Sequence, residues 1–125
     1  MKNLLVITGV VEFGTGLVLV AIPSALIMLL LGSQLDTPVG LTVARVGGVA
    51  LLAIGTACWL ARLEGHSGAA RGLVGALVIY NAGIVAVLVY AGLALGLSGV
   101  GLWPVVVVHV AMTAWCITSL LGGRP

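Results

Sequence analysis

The sequence predicts an all-α protein, a membrane-embedded antiparallel four-helix bundle with a short extra helix after the first span. Of its 125 residues, 62% are hydrophobic and 6% are charged, whereas soluble globular domains carry about 25% charged residues. Four apolar stretches, 4–22, 41–61, 73–93 and 103–121, reach the roughly 20 residues that a helix needs to cross a bilayer. The connections are short, so residues 1–125 are expected to form one integral membrane domain.

The first span carries a glutamate in its middle. Apart from Glu12 and two threonines, residues 4–22 are apolar, and the length of this stretch places Glu12 near the bilayer midplane. Pro23 lacks an N–H group, which makes it a poor continuation of the helix but a good first residue of a new one. We therefore predict a separate short helix over residues 23–31. The alternative is one long helix over residues 4–31, kinked at the proline.

The later spans contain small residues at spacings that let helices approach closely. Ala44 and Gly48 lie four residues apart in the second span, as do Gly72 and Ala76 at the start of the third. Close approach matters in lipid because no hydrophobic drive brings helices together there. The fourth span has Pro104 in its first turn, which is typical of a helix start.

The distribution of Lys and Arg predicts the orientation of the chain. Lys2, Arg62, Arg71 and Arg124 all fall on one side of the predicted membrane, and basic residues near short loops stay cytoplasmic. We therefore expect both termini and the loop over residues 62–71 to face the cytoplasm, across a cell inner membrane. The net charge of +2 reflects this bias. The sequence has no basic patch with aromatic partners, which is the pattern that would predict binding to nucleic acid.

Each predicted span contributes one strongly polar side chain to a common slab of the membrane. Charged groups at this depth cost at least about 2.5 to 3.5 kcal/mol, so they face the bundle interior and find partners. We predict that Arg45 pairs with Glu12, couples to it energetically and keeps it ionised. The network is either interhelical packing alone or a site for a ligand, an ion or a proton. Its expected members are Glu12, Arg45, Tyr80, Asn81, His109 and Thr113.

The sequence contains no recognisable catalytic or metal-binding motif. It lacks Cys-x-x-Cys, a phosphate-binding glycine loop and a nucleophile elbow. Cys58 and Cys116 are expected to be free, buried and inert. His109 could supply at most one axial haem ligand per chain. We therefore predict no catalytic residues, no metal and no cofactor.

A glycine-rich pattern covers about half of the chain. It runs through residues 9–17 and Pro23, and continues in residues 44–48 with Leu51, Leu52 and Gly55. This pattern is similar to the first half of small four-helix bacterial membrane proteins in and around the DoxX-like group. The resemblance implies a bacterial inner-membrane protein, an accessory partner of a redox or other membrane complex. It brings no assigned catalytic residues.

Glu12, followed by Gly14 and Thr15, also resembles the essential glutamate site in the first helix of small multidrug-resistance transporters. Those proteins have four short helices. This chain departs from their pattern in its 5% aromatic content and its one-sided distribution of Lys and Arg.

These features favour a non-enzymatic accessory or structural component of a bacterial inner-membrane assembly. The expected partners are the lipid bilayer and either a larger membrane complex or further copies of the chain. The alternative is a small proton- or ion-coupled transporter that uses Glu12.

Overall fold

The computed structural model describes residues 1–122, so Arg124 lies outside the described residues. Four helices are long and apolar enough to cross a membrane, and a short one follows the first. The prediction of an all-α chain with four candidate spans and an extra helix is therefore confirmed. Within the described residues the helices are α1 (Lys2–Ala21), α2 (Pro23–Leu31), α3 (Pro38–Ala61), α4 (Gly68–Leu93) and α5 (Leu102–Leu121).

Two of these helices begin several residues before the apolar stretch that predicted them. Thr37 caps α3 by accepting a hydrogen bond from the Gly40 N–H, and Ser67 caps α4 by accepting one from the Ala70 N–H. A side-chain oxygen at this position satisfies an N–H group that the first turn leaves without a helical partner. The caps therefore extend both helices into more polar sequence.

The chain breaks between α1 and α2, so the alternative of one long kinked helix is wrong. Ile22 leaves helical geometry, with φ −135° and ψ 61°, and Pro23 starts α2. Gly32 ends α2 in the left-handed conformation, with φ 67°, a conformation that glycine adopts without steric cost. The short helix packs back onto the start of α5, where the Gly101 N–H donates to the Leu29 carbonyl over 2.9 Å.

The four long helices pack as two pairs, α1 with α3 and α4 with α5. Backbone meets backbone in the first pair. A Cβ atom built on Gly16 would lie 2.7 Å from the Gly48 carbonyl oxygen, and one built on Gly55 would lie 2.7 Å from the Phe13 nitrogen. Only glycine permits this approach, and it fixes the register of α1 against α3.

Two buried clusters lie in the molecule, of which the first joins the two helix pairs and the second joins α2 to α4 and α5. The first contains Leu4, Leu5, Cys58, Val74, Leu77 and Cys116, with Met1, Ala61 and Leu120 packed against it. The second contains Leu88, Leu102 and Val106, packed against Leu30 and Leu31 of α2. The start of α1, the end of α3, the start of α4 and the end of α5 therefore meet at one end of the molecule.

Candidate functional site

A hydrogen bond between polar side chains links the two helix pairs near the middle of α1. The Tyr80 hydroxyl on α4 donates to Glu12 Oε2 over 2.9 Å. Glu12 is 5% exposed and stands about 15 Å from either end of α1, given a rise of about 1.5 Å per residue. Among residues 1–122, the side-chain partner of this carboxyl is a neutral hydroxyl and not a cation.

A second hydrogen bond joins α4 to α5 beside the first. His109 Nδ1 lies 2.7 Å from Asn81 Oδ1, and Asn81 Nδ2 donates to the Leu77 carbonyl over 2.7 Å. Because an amide oxygen only accepts hydrogen bonds, His109 Nδ1 is the donor and carries a hydrogen. The ring of His109 also meets the ring of Tyr80 edge to face, with centroids 5.9 Å apart.

The structure therefore brings four of the six predicted residues together, and we name Glu12, Tyr80, Asn81 and His109 the polar cluster. Its members come from α1, α4 and α5. Asn81 is 1% exposed, whereas His109 and Tyr80 are half-buried. Hydrogen bonds between buried side chains on different helices are the usual use of such groups in a membrane, where water offers no alternative partner.

Arg45 lies outside the polar cluster, and the predicted ion pair with Glu12 is not formed. Its Nε donates instead to the Val20 carbonyl over 3.2 Å. Val20 is in the last turn of α1, where carbonyl groups have no helical partner because the helix stops before Pro23. A guanidinium at a helix C-terminus also complements the negative end of the helix dipole. Arg45 therefore caps the break between α1 and α2.

This position predicts that Arg45 and Glu12 act independently on stability. We expect Arg45→Gln to lower the free energy of unfolding by about 1 kcal/mol, because a cap is lost. The double variant with Glu12→Gln should cost the sum of the two single changes within about 0.5 kcal/mol. Equilibrium unfolding of the four proteins in detergent measures this. A double-variant cost that is smaller than the sum by about 1 kcal/mol or more would show that the two charges interact after all.

Thr113, the sixth predicted residue, uses its hydroxyl locally. Its Oγ1 donates to the His109 carbonyl on its own helix over 2.8 Å, so its side chain does not extend the cluster. A different threonine belongs near the site. Thr8 lies one turn before Glu12, is 1% exposed, and was not among the predicted site residues. Its helical spacing from Glu12 was the available signal, since residues four apart share a face.

An apolar groove lies on the other face of α1, between α1 and α3. It has a volume of about 480 Å³. Three glycines and the aromatic residues Phe13 and Trp59 are among the residues that line it. At the end of α3 the Arg62 guanidinium lies 4.1 Å from the Trp59 ring centroid, a favourable cation–π contact. The lining residues are Gly9, Val10, Phe13, Gly14, Gly55, Thr56 and Trp59.

Cysteine and acidic side chains do not assemble into a metal site in the described part of the chain. No group of three His, Cys, Asp or Glu side chains there could hold a metal ion. Cys58 and Cys116 are free and buried.

No protein-family model, curated protein or solved structure matches the chain. Function must therefore be inferred from the polar cluster and the groove themselves.

Proposed function

We propose that this chain is a small membrane carrier that moves protons, with Glu12 as the group that binds the proton. One observation carries the proposal: the buried Glu12 carboxyl, midway along a candidate span, accepts a hydrogen bond from Tyr80 and contacts no cation within residues 1–122. An ionised carboxylate is costly in such a setting, by at least about 2.5 to 3.5 kcal/mol at the bilayer centre. Binding a proton removes that cost.

The proposal reverses the preference that the sequence alone supports. That preference for a passive component rested in part on Arg45 holding Glu12 as a permanent ion pair, beside the low aromatic content and the one-sided distribution of Lys and Arg. Because Arg45 donates to the Val20 carbonyl at the end of α1, the hydrogen-bond partner of the Glu12 carboxyl is the neutral hydroxyl of Tyr80. A neutral hydrogen bond is worth about 1 kcal/mol net, less than one to a charged group. Such a bond can break and reform as a carrier changes shape.

The packing of the helices as two pairs allows one pair to tilt against the other. The hydrogen bond from Tyr80 to Glu12 crosses between the α1–α3 pair and the α4–α5 pair. Tight glycine contacts hold α1 to α3, and the bond between His109 and Asn81 holds α4 to α5. If one pair tilts against the other, the carboxyl separates from Tyr80 and becomes accessible from one side. Alternating exposure of a proton site to the two sides of the membrane is what lets a carrier move a proton.

The proposed setting is a bacterial inner membrane, with the helices arranged as an antiparallel bundle and both termini in the cytoplasm. Its support is the position of the basic residues. Met1, Ala61 and Leu73 pack against one cluster, which places the neighbouring Lys2, Arg62 and Arg71 at the same end. Basic residues in short loops favour the cytoplasmic side.

Proton entry into liposomes tests the proposed function. The purified chain, reconstituted with an imposed pH gradient and an internal pH-sensitive dye, should admit protons faster than empty liposomes do. Glu12→Gln should return the rate to that of empty liposomes, because an amide accepts the Tyr80 hydrogen bond but cannot bind a proton. Glu64→Gln is the matched control, since Glu64 lies in the loop between α3 and α4. Equal rates for wild type and Glu12→Gln would reject the carrier.

A second candidate, a non-enzymatic accessory component of a larger membrane assembly, is favoured by the groove. Gly14, one of its lining residues, has no other atom within 4 Å of a Cβ built there, and small residues are where membrane helices approach most closely. The resemblance to DoxX-like proteins points in the same direction and stays a prediction. Purification from the native membrane with a fixed partner, together with no proton entry in liposomes, would favour this candidate over the carrier.

A further inference from the structure

The hydroxyl of Thr8 is the unusual polar group of the molecule. Thr8 is 1% exposed, and its Oγ1 is the one fully buried side-chain oxygen or nitrogen in residues 1–122 without a hydrogen-bond partner. Leaving such a group unpaired costs about 1 to 3 kcal/mol. Buried polar groups in native proteins are almost always paired, with protein or with water.

Other threonines on the helices avoid this cost by bonding to their own helix. Thr42, Thr56 and Thr113 each donate to the carbonyl four residues earlier, over 2.8 Å in every case. This local bond is the usual solution for a threonine inside a helix. Thr8 could reach the Leu4 carbonyl in the same way but does not. Its hydroxyl is therefore left without the local bond that the other three threonines make.

The nearest strong polar group on the same face is Glu12. Residues four apart on a helix have Cβ atoms about 5 to 6 Å apart. Tyr80 occupies Oε2 of Glu12, which leaves Oε1 without a partner among the described residues. Among the residues of the buried cluster at this end of α1 and those packed against it, the polar side chains are the thiols of Cys58 and Cys116 and the hydroxyl of Tyr80, which already donates to Glu12. A water molecule that accepts from or donates to two such neighbouring side chains would satisfy both oxygens.

We propose that one water molecule binds between Thr8 Oγ1 and Glu12 Oε1. The inference rests on the proposed function, because protonated Glu12 donates from Oε1 to the water, which donates in turn to Thr8. Tyr80 holds Oε2 as acceptor, so the water and Thr8 together fix the proton on Oε1. Thr8 is thus a positioning residue of the proton site, and it lies on the side of Glu12 that faces the basic end of the molecule.

Infrared difference spectroscopy of Thr8→Val tests the water site. Valine keeps the branched shape and removes the hydroxyl. Wild type should show a water O–H stretching band that shifts in H₂¹⁸O, and Thr8→Val should lose that band. The carboxyl band of Glu12, identified by its loss in Glu12→Gln, should move to higher frequency in Thr8→Val because a hydrogen bond is lost. Thr8→Ser should restore both bands.

The matched control is Thr56→Val, since the Thr56 hydroxyl bonds to its own helix at the Leu52 carbonyl. That variant should leave both bands at their wild-type positions. If Thr8→Val also leaves both bands unchanged, the water site is wrong even though the Glu12 carboxyl band is present. If wild type has no such carboxyl band, the proposed function fails instead, and the H₂¹⁸O-sensitive band alone decides the water site.

Discussion

Replacing Gly55 by leucine should separate α1 from α3 and lower the free energy of unfolding by about 3 kcal/mol or more. A Cβ atom on Gly55 would lie 2.7 Å from the Phe13 nitrogen and 2.9 Å from the Gly9 carbonyl oxygen. Both are backbone atoms, so no side-chain rotation can relieve the overlap. The helices must move apart, and the other glycine contacts along the pair are then lost with this one.

Unfolding in detergent, followed by circular dichroism, measures this effect. Gly14→Leu is the matched control, because Gly14 also lies on the α1–α3 pair and a Cβ atom there has nothing within 4 Å. Leucine favours helix over glycine by about 1 kcal/mol, so the control should be as stable as wild type or slightly more stable. Equal stability of the Gly55 and Gly14 variants would show that the two helices do not pack through their backbones.

The helices were predictable from sequence because composition and proline act locally. Apolar stretches of spanning length appear directly in the sequence, and Pro23 cannot continue the hydrogen-bond ladder of α1. Both features survive in the structure. The helix starts were less predictable, since Thr37 and Ser67 extend α3 and α4 by caps that hydropathy does not reveal.

The polar contacts were only partly predictable, because sequence gives the depth of a residue but not its neighbours. Gly16 opposes Gly48 and Gly55 opposes Gly9, which sets Glu12 level with Leu52. Arg45 is therefore seven residues away along α3, or about 10 Å. The end of α1 at Val20 is nearer and offers a free carbonyl. Arg45, which the sequence predicted to pair with Glu12, therefore donates to the Val20 carbonyl at the break between α1 and α2.

The sequence offered one signal for Thr8 as a site residue, its helical spacing from Glu12. Threonine inside an apolar helix ordinarily bonds to its own backbone, as Thr113 does here. Nothing in the sequence separates Thr8 from such residues except its position four before Glu12. The distinction appears only when burial and hydrogen bonds are known, since Oγ1 of Thr8 lacks a partner among the described residues.

Glu12 should carry a proton at neutral pH, and this is the largest functional consequence of the structure. Its carboxyl is 5% exposed and accepts a hydrogen bond from the neutral hydroxyl of Tyr80. Arg45 is the basic residue whose position in the sequence predicted a depth close to that of Glu12, and it donates instead to the Val20 carbonyl. Without a positive charge beside it, a carboxylate in an apolar slab gains more from binding a proton than from staying ionised.

The infrared spectrum of the carboxyl group at neutral pH tests this most directly. Wild type, reconstituted in lipid, should show the C=O stretching band of a protonated carboxyl that is absent from Glu12→Gln and retained in Glu64→Gln. The band should persist in Arg45→Gln, because that arginine does not contact Glu12. A wild-type spectrum without the band would mean that Glu12 is an ionised carboxylate, and the assignment of Glu12 as the proton site would be wrong.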